Sequence, residues 1–81
     1  MGDSRPPAQV IVEALSVYLG PNTARNAVKT FAERSLGLAP EAVTRADCPR
    51  LLEALRPMLK TLLGAAQCDA ILAKLHRELG P

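Results

Sequence analysis

Eighty-one residues with a formal net charge of +2 allow one domain and a small core. One Phe, one Tyr and no Trp leave little to stack on bases or cage a cation. Acids and bases are interspersed at a pI near 8.8, without the dense basic patch that non-specific binding to nucleic acid or membrane needs.

In chain order, residues 1–7 read as a disordered lead, and Pro6-Pro7 marks where order begins. The start lacks the charged and apolar regions of a signal peptide. Ala8 to Leu19 is apolar over most of a helical circumference, with only Gln9, Glu13 and Ser16 polar. The β-branched Val10-Ile11-Val12 keeps a short strand open, but no second such run exists to pair with it. Leu19-Gly20-Pro21 stops this helix, and Asn22 or Thr23 is expected to cap a second one running to Leu36. Ala24, Ala27, Val28, Phe31 and Ala32 form its inward side, with Arg25, Asn26, Lys29 and Glu33 outward. Leu36-Gly37-Leu38 has the form of a Schellman ending. The longest uncharged run, Ala14 to Ala24, is too short to span a bilayer and is broken by Gly-Pro.

Residues 39–48 are the least regular. Pro40-Glu41 can open a single turn, and Thr44 with Asp47 has capping-box spacing. Asp47 is then expected to cap a third helix with Pro49 in its first turn, and Pro57 to bend that helix without breaking it. On this third helix Leu51, Leu52, Leu55, Met58, Leu59, Leu62 and Leu63 fall within about 140° of arc at 3.6 residues per turn. Gly64 ends it. Ala65 to Leu79 makes a fourth helix carrying Cys68, Ile71, Leu72, Leu75 and Leu79 on one stripe, closed by Gly80-Pro81. Leu-Gly thus punctuates the chain four times, although the segments between are too dissimilar to be a repeat.

The expected fold is all-α: a compact four-helix bundle with helices over about 8–19, 22–36, 49–63 and 65–79 and an extra turn near 40–47. Its expected core is Ile11, Leu15, Leu19, Val28, Phe31, Leu51, Leu55, Leu59, Leu62, Leu72 and Leu75.

Little chemistry is written in the chain. His76, the only histidine, falls in the last turn of the fourth helix, where partial positive charge suits the macrodipole. Cys48 and Cys68 lack the paired spacing of a zinc site and form no disulfide framework, so a reducing, cytoplasmic setting is expected. Cys68 reads as a small core residue. Cys48 opens a helix, where the dipole can lower a thiol's pKa, and is the one candidate for reactivity. No phosphate-binding, metalloprotease or hydrolase motif appears, and the expectation is a non-enzyme with no metal, cofactor or small-molecule substrate. The first and third helices carry more apolar arc than a minimal bundle hides, which points to a protein partner or a homo-oligomer. Val10, Ala14, Val17, Leu52 and Leu63 are the residues expected to make that contact. The alternative is a small nucleic-acid regulator using Arg25, Lys29 and Arg34. Against it, Glu33 interrupts the row and Arg34 lies half a circumference from Arg25.

Overall fold

Each helix boundary in this chain falls at or beside a proline or a glycine. In the computed structural model, which describes residues 6–79, α1 runs Pro7–Leu19, α2 Pro21–Leu36, α3 Cys48–Leu63 and α4 Ala65–Leu79. Single turns of 3-10 helix at Pro40–Ala42 and Arg45–Asp47 break the linker between α2 and α3. The fold is therefore all-α, with no strand among the described residues, and Val10-Ile11-Val12 is helical. Most of the expected N-terminal lead, and the Gly80-Pro81 stop, lie outside the described residues.

Two expected caps are replaced. α2 begins at Pro21, whose fixed φ and missing N–H suit the first helical position, so Asn22 and Thr23 fall inside the first turn. Asp47 flanks α3 without capping it. Its carboxylate turns back instead, accepting from the Thr44 backbone N–H at 3.1 Å and the Thr44 hydroxyl at 2.9 Å. These bonds, the backbone one first, hold the Asp47 carboxyl below its ordinary pKa of 3.8. The Schellman ending forms as expected: Gly37 sits at φ 67°, and the Leu38 N–H reaches the Ala32 carbonyl at 3.3 Å. α3 continues unbroken through Pro57, which lies on its exposed side.

The helices close a ring: α1 packs on α2, α2 on α3, α3 on α4, and α4 back on α1. Within the ring are two hairpins, each turning at a single glycine. Gly20 (φ 86°, ψ 155°) ends α1 and starts α2; Gly64 (φ 89°, ψ 160°) ends α3 and starts α4. The same two bonds frame each corner. Gly20 donates to the Ser16 carbonyl and accepts from Ala24, both at 3.0 Å, while Gly64 donates to Lys60 at 2.9 Å and accepts from Cys68 at 3.0 Å.

The likeness extends along both arms. Ala8, Ile11, Leu15, Ala24 and Val28 are all buried, and so are Leu52, Leu55, Leu59, Cys68 and Leu72, their counterparts at the same offset as Gly20 and Gly64. Over residues 8–35 and 52–79 only Leu15, Leu19 and Gly20 recur as identical residues, Leu59, Leu63 and Gly64, so the sequence conceals what backbone and burial reveal.

Ile11, Leu15, Val28, Leu51, Leu55, Leu59, Leu72 and Leu75 are buried as expected, whereas Leu19 and Phe31 are only partly so. Leu62 is a correction. It sits near the centre of the apolar arc of α3, yet it is 55% exposed in the last turn of that helix, whereas Leu59, one turn earlier, is fully buried. Val43 anchors the linker in the core, and Arg45 ties it to the end of α4 by donating to the Glu78 and Leu79 carbonyls, both at 3.4 Å. Arg56 joins α3 to α4, pairing with Glu53 and Asp69 at 3.1 Å each. These partners are exposed, and such pairs contribute at most about 1 kcal/mol each.

Candidate functional site

Val17, Tyr18 and Leu62, at 81%, 44% and 55%, are the exposed large hydrophobic residues among those described. All three occupy the last turn of their helices, next to the glycine corners. Each hairpin opens toward the linker: Pro40 and Glu41 share a recess with Pro6 and Ala8, and Arg45 is bonded to the end of α4. Tyr18 and Leu62 are counterparts in the hairpin alignment, each near the centre of its helix's apolar arc and each exposed in the last turn.

Neither corner segment carries charge in its own sequence. Val17 to Ala24 and Thr61 to Cys68 contain no Asp, Glu, Lys, Arg or His, and charges resume at Arg25, Lys60 and Asp69 around them. An apolar centre ringed by polar groups is the usual build of a protein–protein contact. Neither Tyr18 nor Leu62 was an expected contact residue. The available signal was the matching pair of uncharged runs astride two Leu-Gly steps.

Of the five residues expected to meet a partner, Val10 (6%) and Leu52 (0%) are corrected by their burial. Val10 is closed off between α1 and α4 and Leu52 is closed off beside the linker, so neither can touch another chain. Leu63 is partly buried against the core. Val10, Ala14 and Val17 line a recess of about 230 Å³ together with Glu13 and with Lys74 and Glu78 of α4, and of the three only Val17 is exposed.

Tertiary packing brings Cys48 and His76 into one recess, of about 390 Å³, walled by Leu52, Leu79, Pro49, Ala46 and Arg45. Sequence spacing does not anticipate that meeting. The thiol is buried and donates to the Thr44 carbonyl at 3.4 Å, and burial pushes its pKa up against the lesser pull of Arg45. Desolvation thus outweighs the lowering that a helix start can give a thiol. Cys68 Sγ lies 3.6 Å from the Arg56 carbonyl, two helical turns beyond Cys48, so about 12 Å of rise separates the two levels and bars a disulfide between them. In the folded chain, Cys48 should be alkylated at pH 7 at least about tenfold more slowly than in denaturant. Mass-spectrometric labelling of each cysteine checks this, and rapid labelling of Cys48 at neutral pH would contradict it.

Arg25 and Lys29 line a recess of about 500 Å³ together with Glu33 and Glu41, so carboxylates share the surface proposed for phosphate, and Arg34 is not part of it. Among the described residues no three His, Cys, Asp or Glu side chains converge as metal ligands, and no helix is long and apolar enough to cross a membrane. Comparison with known protein families, with curated proteins and with solved structures gives no match.

Proposed function

We propose that this chain is a small, non-catalytic protein-interaction module that docks through the exposed apolar residues beside its two glycine corners. One observation carries the reading: Val17, Tyr18 and Leu62, the exposed large hydrophobics among the described residues, each stand beside a glycine corner within a charge-free segment. Burying a Val, Leu or Tyr side chain removes apolar surface worth about 1.5–3 kcal/mol each, enough for a modest, reversible contact. The two free, buried thiols are in keeping with a reducing compartment. Nucleic-acid binding through Arg25, Lys29 and Arg34 is the weaker proposal, because Glu33 and Glu41 lie among those cations.

A photo-crosslinking amino acid placed at Tyr18, at Leu62 or, as a control, at Arg34 tests the reading in cells that express the chain. The same discrete protein adduct is expected from positions 18 and 62 and not from 34. Loss of adducts from both corner positions, or equal adducts from all three, would overturn it.

A further inference from the structure

The recess that holds Cys48 and His76 is separate from the proposed docking residues: none of Val17, Tyr18 and Leu62 lines it. We infer that it binds a small monocarboxylate with an apolar body, a ligand that no motif in the chain announces. Its size suits one, since 390 Å³ falls within the roughly 300–1,000 Å³ of small-molecule sites. Three elements build it: the Arg45–Asp47 turn, the start of α3 and the last turn of α4. Leu52, Leu79 and Cys48 are buried and back it with core. Ala46 and Pro49, with Arg45 and His76, are exposed and form its solvent side.

Charge selects the ligand. Besides the thiol, the ionisable side chains of this recess are a guanidinium and an imidazole, and no carboxylate lines it. The recess of Arg25 and Lys29 and that of Lys74 both set acids among their cations, Glu33 and Glu41 in one, Glu13 and Glu78 in the other. The acids around the Cys48 recess are committed elsewhere. Asp47 accepts from Thr44, Glu53 pairs with Arg56 at 3.1 Å, and Glu78 lines the recess beside α1. Arg45 gives Nη1 to the Glu78 and Leu79 carbonyls, while its Nε and Nη2 make no bond among the described residues. A guanidinium with two donors to spare matches the two oxygens of a carboxylate. One permanent cation against an otherwise apolar lining suits a single negative charge with hydrocarbon behind it, and leaves a phosphate dianion under-compensated.

NMR titration of the isotope-labelled chain with octanoate, and separately with octan-1-ol and octylamine, tests the inference. Octanoate should saturate with a dissociation constant of about 0.1–3 mM, shifting the amide signals of Arg45, Ala46, Leu52, His76 and Leu79. The alcohol and the amine should bind at least about fivefold more weakly. Arg45→Gln should weaken octanoate about fivefold and leave octan-1-ol unchanged. Ala46→Glu, which sets a carboxylate at an exposed position of the lining, should weaken octanoate about tenfold and make octylamine the better ligand. Both variants should keep the far-ultraviolet helix signal.

No saturable shift up to about 10 mM octanoate, or shifts gathered instead at Val17, Tyr18 and Leu62, would overturn the inference. So would alcohol or amine binding as tight as that of the acid, or octanoate binding that neither substitution weakens. The crosslinks expected from positions 18 and 62 stand or fall separately, because those positions lie outside this recess.

Discussion

Leu59→Ala is expected to destabilise the protein by about 2–5 kcal/mol, while Leu62→Ala, three residues on along the same apolar arc, should change stability by no more than about 0.5 kcal/mol in dilute solution. Leu59 is fully buried, and truncating it removes favourable transfer and leaves a cavity in a ring that helices on several sides hold open. Leu62 ends in solvent. A chain of this length has about 4–12 kcal/mol of total stability, so the first substitution removes a large share of it. The expected fall in melting temperature is about 10 °C or more, read by circular dichroism, with denaturant midpoints as a check. Leu15→Ala, at the equivalent place in the first hairpin, should behave like Leu59→Ala. Comparable losses at positions 59 and 62 would mean that α3 is covered at its end.

The second large effect lies in the backbone of the corners. Gly20→Ala and Gly64→Ala should each cost about 1–3 kcal/mol. Both glycines combine a φ near 90° with an extended ψ, a region that essentially only glycine enters. Neither position is crowded: a Cβ at either would meet nothing within 4 Å. The whole cost therefore comes from torsion, and no neighbour can relax to relieve it. Gly37 gives the contrast. Its φ of 67° and ψ of 25° lie in the left-handed helical region that Asn also tolerates, so Gly37→Asn should cost well under about 1 kcal/mol. Denaturant titration of the three variants separates these cases, and a Gly20→Ala protein as stable as the parent would show that the single-residue corner can be rebuilt.

These two contrasts also mark how far the sequence can be read. Helix number, helix type and most of the core follow from the spacing of Leu, Ile and Val against Gly and Pro, because amphipathic period and backbone propensity are local properties. The boundaries held to within a residue or two for the same reason. The two caps that shifted, at Pro21 and Asp47, did so where two local signals competed: proline's fixed φ against Asn22 and Thr23, and the Thr44 backbone against the start of α3.

Which apolar residues face a partner was not local information. A helical wheel gives an angle and no height. Leu52 stands about 50° from the centre of its arc and is buried beside the linker and α4, whereas Leu62 stands about 30° from it and is exposed. Val10 and Val17 share one side of α1, one closed over and the other the most exposed apolar residue of the set. The meeting of Cys48 with His76, the raised pKa of that thiol and the kinship of the two hairpins are hidden in the chain for a related reason. Each depends on where one helix ends against another, and burial, dielectric and exposure are set by neighbours distant in sequence. The chain by itself determines four amphipathic helices and the glycines between them; only their packing decides that Val17, Tyr18 and Leu62, in the last turns of α1 and α3, are left uncovered.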